Sequence, residues 1–207
     1  MLNTNLANST HAALVEESLK NAYNTLSDFA NREEFLLKIQ TAFGETFHAD
    51  KLEGLRQQWI AGDFASLPQI EILTGTQLRG ANAAYAGENN TIYFSEDFLS
   101  QYADNLSAIN SVLLEEIGHY VDWQINDEDT PGDEGEYFSN LVQGFELSES
   151  QIQALQGEDD YGVLNLEQDW FKIEQNNPTS FLNLSSNLAI SSLQIFTICL
   201  VIFYMYQ

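Results

Sequence analysis

The chain is poor in basic residues. Its 207 residues include 7 lysines and arginines against 31 aspartates and glutamates, which gives a net charge of −24. Between residues 81 and 171 there are 20 acidic residues and no lysine or arginine. Nucleic acid and anionic lipid both need cations to neutralise phosphate, so nucleic acid is not expected as a partner. The acidic block fits a divalent cation, a basic partner or simple solubility.

Cysteine and histidine are also scarce. The single cysteine is Cys199 and the three histidines are His11, His48 and His119. A disulfide framework within the chain and a zinc finger built from cysteine and histidine are therefore excluded. The content of 44% hydrophobic and 12% aromatic residues is nevertheless typical of a folded protein. The length fits one domain with a substantial core and appended segments.

The two ends of the chain differ in character. Residues 1–13 are polar and contain neither a basic start nor an apolar run, so no secretory signal peptide of the usual kind is expected. Residues 188–206 are uncharged and about as long as a bilayer-spanning helix, which needs about 20 residues. Three interpretations stay open for this segment: a membrane anchor, a strand or helix of a larger assembly, or non-native residues from a shifted or truncated reading frame.

Apolar spacing indicates where helices and strands lie. It predicts three helices before the first strand: residues 12–30, 34–43 and 50–61. Alternating patterns predict short strands at residues 70–74 and 91–95. Residues 75–86 are rich in glycine, alanine and asparagine and are predicted to form a loop or an irregular edge strand. After Gly157 the pattern predicts only an acidic loop, followed by an asparagine-rich linker.

The strongest helical pattern covers residues 105–125. Its apolar face consists of five residues: Ile109, Leu113, Ile117, Tyr120 and Val121. At 100° per residue, Glu115, His119 and Asp122 fall within about 60° of one another on the opposite side, with Glu116 beside them. These four polar residues form either the solvated face of an amphipathic helix or a set of ligands and catalytic groups. A second helix is predicted to begin near Asp133.

Residues 115–119 read Glu-Glu-Ile-Gly-His. This segment resembles the His-Glu-x-x-His motif of zincin metallopeptidases, with Glu115 in place of the first histidine. In that motif, residues four apart on one helix bind a single metal ion, and the glutamate after the first ligand activates the metal-bound water. The resemblance therefore implies that Glu115 and His119 are metal ligands and that Glu116 is the general base.

The flanking residues extend the resemblance over residues 68–144. Residues 90–95 resemble the edge strand along the substrate cleft of zincins, and residues 136–140 resemble the ligand-bearing segment of gluzincins. By that match Glu136 is the third ligand, and Asn140 or Asp122 supports a ligand through a hydrogen bond. The implied fold is α+β: a short mixed sheet with an edge strand, an active-site helix and a following ligand-bearing helix, preceded by helices.

The resulting organisation has four parts: an N-terminal helical region (1–66), a zincin-like core (67–156), an acidic and asparagine-rich loop or linker (157–187), and an apolar C-terminal segment (188–207). If 188–206 is an anchor, the chain has a membrane as a partner. Residues 127–132 begin like a calcium loop, but Pro131 and Phe138 at its fifth and twelfth positions break the EF-hand pattern. An acidic turn before a helix is the preferred interpretation there.

The expected function is that of a divergent metal-dependent peptidase acting on a peptide or protein. The resemblance implies zinc, but two carboxylates and one imidazole neutralise a divalent cation and leave its bound water less acidic. Oxygen-rich ligation also favours harder cations such as Mn²⁺ or Ca²⁺. The alternative is a catalytically inactive zincin-like module for binding or structure, calcium-binding in one version and part of a larger extracellular or cell-surface protein.

Overall fold

The computed structural model of the chain describes residues 9–166 and 169–176. The helices in this part are α1 (Ser9–Ala30), α2 (Phe35–Phe43), α3 (Ala49–Ile60), α4 (Glu96–Gln101), α5 (Leu106–Ile125), α6 (Glu134–Gln143) and α7 (Glu149–Leu155). The strands are β1 (Gln69–Leu73), β2 (Ala83–Ala86), β3 (Thr91–Ser95), β4 (Tyr161–Leu166) and β5 (Asp169–Asn176). The predicted α+β class is confirmed.

The five strands form one mixed sheet in the order β1-β3-β2-β5-β4. β1 and β3 are parallel, while β2 pairs antiparallel with both β3 and β5. A mixed sheet was expected, but the prediction that residues 91–95 form an edge strand is wrong. β3 lies between β1 and β2, and all five of its residues are buried. The residues after Pro68 cover its outer side, since Ile70 pairs with Ile92.

Two parts of the sheet come from residues predicted to lack regular structure. The four residues of β2 are all buried between β3 and β5, although their sequence suggested a loop or an edge strand. The prediction of a loop or linker after Gly157 is wrong as far as Asn176, because β4 and β5 form an antiparallel pair there. Leu164 and Ile173 of this hairpin are buried in an apolar cluster with Tyr93, which anchors the hairpin to the sheet.

The proposed membrane anchor, residues 188–206, lies outside the described residues. Within residues 9–166 and 169–176, no helix combines the length and apolar character needed to cross a bilayer.

Helix α5 packs against both helices and strands, and most of its residues are buried. Fifteen of its 20 residues are buried, and Tyr120 contacts Tyr85 of β2 edge to face, with 6.2 Å between the ring centroids. The interpretation of its polar residues as a solvated face is therefore wrong. Glu116 and His119 are both 0% exposed. Helix α6 and strand β5 cover the side that an isolated amphipathic helix would present to water.

Helices α5 and α6 contact each other through two glycines. A Cβ atom added to Gly118 would lie 2.8 Å from the Cα atom of Gly135, and one added to Gly135 would lie 2.5 Å from Nε2 of His119. Both distances are shorter than a carbon side chain tolerates. Phe138 of α6 lies beside this contact, with its Cβ atom 3.1 Å from a Cβ added to Gly118, and its ring contacts Phe29 and Phe43. The two glycines thus allow the N-terminal end of α6 to approach His119 closely.

We predict that Gly118→Ala destabilises the fold although alanine is the better helix former. The propensity gain is about 1 kcal/mol, whereas overpacking a tight contact costs about 1–3 kcal/mol. Gly54→Ala is the matched control, because Gly54 lies in α3 with nothing within 4 Å of the added Cβ. This control should raise the free energy of unfolding, measured with urea. Equal effects of the two substitutions would contradict the tight contact.

Candidate metal centre

Ionisable side chains from three parts of the described chain gather around the imidazole of His119. α5 contributes His119 and Glu115, and the start of α6 contributes Asp133 and Glu134. The β4–β5 hairpin and the residue before it contribute three more side chains. They are Asp160, Glu174 and Asn176.

Carboxylates lie on both sides of the His119 ring. Its Nδ1 lies 2.8 Å from Oε1 of Glu134 and 2.8 Å from Oε2 of Glu174. Its Nε2 lies 3.6 Å from Oδ2 of Asp160, and neither of these two atoms has a hydrogen-bond partner among the described residues. Since Nδ1 carries a single proton, one N–H cannot serve two carboxylates equally well. The ring therefore has an Nδ1 edge held by two carboxylates and an Nε2 atom without a hydrogen-bond partner in the described part of the chain.

The carboxylates control the charge of His119. Burial lowers the pKa of this imidazole, but the electrostatic attraction of Glu134 and then of Glu174 outweighs burial and raises the pKa well above its usual value. The pKa values of two carboxyl groups near His119 rise, whereas an ordinary ion pair lowers the pKa of its carboxyl group. Burial raises the pKa of Glu134 to about 8 and that of Asp160 to about 7, although His119 opposes both shifts.

Glu115, the predicted first ligand, is buried and faces both α6 and the hairpin. One ligand atom each of Glu115, His119 and Asp133 lie within 4.8 Å of one another. The side-chain nitrogen of Asn176 donates to both carboxylate oxygens of Glu115, at 2.8 Å each. Burial raises the pKa of Glu115 well above its usual value, and Asp133 and Glu136 add to this shift. Glu115 thus lies where a ligand is expected and accepts hydrogen bonds from Asn176.

Glu116, the predicted general base, is 0% exposed. Neither of its carboxylate oxygens makes a hydrogen bond of normal geometry within the described residues, although the backbone of Asn176 lies close enough to lower its pKa. Burial raises its pKa well above the usual value, although the nearby imidazole of His119 lowers it. A buried carboxylate with so few hydrogen bonds is rare in folded proteins and indicates a missing ion or water, or a chemical role.

The predicted third ligand and its supporting residue lie on α6, one turn apart. Glu136 is 5% exposed and lies close enough to Glu115 to raise the pKa of that carboxyl. Asp133, three residues before it, is the side chain whose ligand atom meets those of Glu115 and His119. The side chain of Asn140 donates to the backbone oxygen of Glu136, at 2.8 Å. This bond lies within helix α6 and holds no ligand side chain.

Asp122, the other residue predicted to support a ligand, organises the loop before α6. Its Oδ2 accepts from the backbone N–H of Thr130 at 3.1 Å. Its Oδ1 accepts from the hydroxyl of Thr130 at 2.6 Å and from the side chain of Asn126 at 2.7 Å. One oxygen each of Asp122, Asp129 and Glu134 also lie within 4.8 Å of one another. Asp122 therefore ties the α5–α6 loop to the edge of the His119 cluster.

The acidic residues of the loop that begins like a calcium loop point in different directions. Asp127 is exposed and pairs with Nε2 of His48 at 2.9 Å, and hydrogen bonding to His48 lowers its pKa. Asp129 accepts a hydrogen bond from the hydroxyl of Tyr161 and faces Glu134 instead. Burial raises the pKa of Asp129 to about 6. The loop therefore does not gather its own carboxylates around one point.

Sequence reasoning missed five residues of this cluster. They are Asp133, Glu134, Asp160, Glu174 and Asn176. The closely spaced acids Asp133, Glu134 and Glu136 at the start of a predicted helix were a usable signal for the first two. The others belong to, or directly precede, the hairpin that was taken for a loop.

The donors of the cluster, one imidazole and several carboxylates, are groups that bind divalent cations in proteins. The buried acidic and histidine side chains could thus hold a metal ion. Comparison of the chain with protein-family models, with curated proteins and with solved structures finds no match.

Proposed function

We propose that this domain binds a divalent cation through His119 and the carboxylates around it, and that the cation joins α5, α6 and the β4–β5 hairpin. The proposal rests mainly on the surroundings of the Nε2 atom of His119. This atom is fully buried and has no hydrogen-bond partner in the described part of the chain. Asp160, 3.6 Å away, likewise has a buried oxygen without a partner. A metal ion between such donors would satisfy both.

The charge of the interior supports the same proposal. Seven carboxylates of the described residues are buried: Glu115, Glu116, Asp122, Asp133, Glu134, Glu136 and Asp160. The sequence from 81 to 171 offers them no lysine or arginine. Burying an ionised carboxylate costs several kcal/mol, roughly, unless hydrogen bonds and ion pairs compensate, and bound protons or a cation reduce that cost. A divalent cation replaces several of those protons at neutral pH.

The donor set bears on which cation binds. His119 contributes the only nitrogen among the ionisable groups of the cluster, and the other ionisable donors are carboxylate oxygens. Hard cations with many oxygen ligands, such as Mn²⁺ and Ca²⁺, suit this composition, whereas zinc prefers nitrogen and sulfur. We therefore place Mn²⁺ and Ca²⁺ before the zinc that the resemblance to zincins implies.

We predict that His119→Ala abolishes cation binding measured by calorimetry. A cation at 100 times its Kd should stabilise the unmodified protein by about 2.7 kcal/mol, and this gain should vanish in the variant. His48→Ala is the matched control, because the side chain of His48 pairs with exposed Asp127, which is not among the residues around His119. If His119→Ala keeps the cation-induced stabilisation, the cation binds elsewhere.

We predict that the stability of the metal-free protein falls with rising pH, whereas the stabilisation by the cation grows. In chelator, the raised pKa of Glu134, from 4.5 to about 8, means that the folded state keeps a proton that the unfolded state has lost. Stability should then fall as pH rises from about 5 to about 8, by up to about 1.4 kcal/mol per unit for this group. The shifts of Asp160 and His119 act in the same direction.

Cation binding requires deprotonated carboxylates and a neutral imidazole with a lone pair on Nε2, so the stabilisation by Mn²⁺ or Ca²⁺ should grow over the same pH range. Thermal unfolding in chelator and in each cation tests both trends. A metal-free protein whose stability rises between about pH 5 and about pH 8 would contradict the burial of these groups.

A second candidate function is metal-dependent peptide hydrolysis. Glu116 favours it, because this buried carboxylate makes no hydrogen bond of normal geometry within the described residues and lies near His119. A bound cation would supply polarisation of a water molecule and of a peptide carbonyl. Glu116 would accept the proton of that water and later deliver it to the leaving amine. Since Glu116 and His119 have no exposed surface, a substrate can reach them only if an element that covers α5 moves.

We predict that Glu116→Gln lowers cleavage of unfolded casein by about 100-fold or more if the domain is a hydrolase, because the amide cannot accept the proton. Cation affinity should persist, since the proposed ligands remain. Glu128→Gln, at an exposed position, is the matched control. Cleavage that survives Glu116→Gln, or its absence from cation-loaded unmodified protein, would eliminate the hydrolase candidate and leave the cation-binding function in place.

A further inference from the structure

The carboxylate of Glu115 is held by an asparagine from the end of the described chain. Asn176, the last residue of β5, is 1% exposed, and its Nδ2 lies 2.8 Å from each oxygen of Glu115. The contact spans 61 positions of sequence and joins the central helix to the sheet. An ionised carboxylate has about four lone-pair sites, so a donor shared by both oxygens leaves other sites for a cation.

Asn82 fixes the orientation of the Asn176 amide. The side chain of Asn82 donates to Oδ1 of Asn176 at 2.6 Å. The backbone N–H of Asn82 donates to the carbonyl of Asn176 at 2.9 Å, and the carbonyl of Asn82 accepts from the backbone N–H of Ser95. With its oxygen engaged by Asn82, the amide of Asn176 presents its NH₂ group to position 115. The NH₂ group can donate a hydrogen bond to an acceptor at position 115 but cannot accept one from a donor there.

A hydrogen-bond donor at position 176 pairs well with a glutamate at position 115 and poorly with a metal-binding histidine there. A histidine that binds a metal through one ring nitrogen donates the N–H of the other nitrogen to an acceptor, usually a carboxylate or a carbonyl. The NH₂ group of Asn176 cannot accept such a bond. The residue at 176 is thus complementary to the carboxylate that distinguishes this helix from the zincin motif it resembles.

We propose that Asn176 is a positioning residue that fixes Glu115 as a carboxylate ligand and thereby sets the preference of the site for hard cations over zinc. The inference rests on the proposed binding of a cation at Glu115 and His119. Asn176 itself does not bind the cation. Asn82 acts behind it by holding the amide in the donating orientation.

The first test compares the affinities of purified variants for Mn²⁺ by calorimetry. Asn176→Ala should weaken Mn²⁺ binding by about 10- to 100-fold, as the loss of a residue that orients a ligand does elsewhere. Asn165→Ala, an exposed position of the same hairpin, is the matched control and should bind like the unmodified protein. Asn82→Ala should weaken binding in the same direction as Asn176→Ala, with Glu115 untouched.

Asn176→Asp separates a positioning residue from a ligand. This substitution keeps the size of the side chain but places a second carboxylate against Glu115 in place of a donor. It should weaken Mn²⁺ binding at least as much as Asn176→Ala. Tighter binding than in the unmodified protein would show that position 176 contacts the cation directly, which would overturn the proposal.

The decisive test exchanges the donor and the acceptor together. Glu115→His alone should lose Mn²⁺ affinity and gain little for Zn²⁺, because the new imidazole faces the NH₂ group of Asn176. Adding Asn176→Asp supplies the missing acceptor and should raise the ratio of Zn²⁺ to Mn²⁺ affinity at least about tenfold over the single variant. Visible absorption of bound Co²⁺ should change with the ligand set, which loss of stability alone does not cause.

The outcomes also separate the inference from the function on which it rests. No binding of Mn²⁺, Ca²⁺ or Zn²⁺ by the unmodified protein would refute the proposed function. Binding that His119→Ala removes but that Asn176→Ala and the double exchange leave unchanged would refute the role of Asn176 alone. Thermal unfolding of each variant in chelator identifies any variant that fails to fold. In that case the isosteric Asn176→Asp variant and Asn82→Ala decide the question.

Discussion

Buried negative charge is the constraint on which the rest of this structure depends. Seven carboxylates are buried among the described residues, and the stretch from 81 to 171 in which they all lie contains no lysine or arginine. The base that Glu134 and Asp160 contact is His119, and one imidazole cannot offset the charge of several buried carboxylates. Protons or bound cations can offset the rest, and either one links the stability of the fold to solution conditions.

The packing of the fold brings the buried carboxylates together at His119. The two facing glycines, Gly118 and Gly135, let α6 approach α5 closely enough for Glu134 to reach the imidazole of His119. On the other side, strand β5 brings Glu174 to the same ring. The three segments meet at one side chain, although β5 lies far from α5 and α6 in the sequence. A cation placed there would contribute to tertiary contacts that these carboxylates would otherwise oppose by mutual repulsion.

The sequence predicted well what depends on local pattern. The helical spacing of apolar residues located α1, α2, α3, α5 and α6, and the i, i+4 spacing located Glu115 and His119 on one helix face. The predictions were wrong for β2 and β5, where the local pattern of the sequence is ambiguous. The sequence Ala-Ala-Tyr-Ala of β2 has no alternation because both of its faces are buried. β5 carries Glu174 on the face toward α5, and an ionisable residue inside a strand gives the composition of a loop.

The pattern of α5 is ambiguous in a similar way, because polar residues along one side of a helix are typical of a surface helix but also occur in a buried cluster. Polar residues on one side of a helix are solvated in most proteins, because a single buried charge is unfavourable. That rule assumes an isolated charge, and here Glu115 and His119 share their surroundings with several others. The seven buried carboxylates all belong to the 20 acids between residues 81 and 171, so solubility alone does not explain this acidic block. Acidic residues without basic partners, placed on a strongly predicted helix, therefore carry information about the interior as well as the surface.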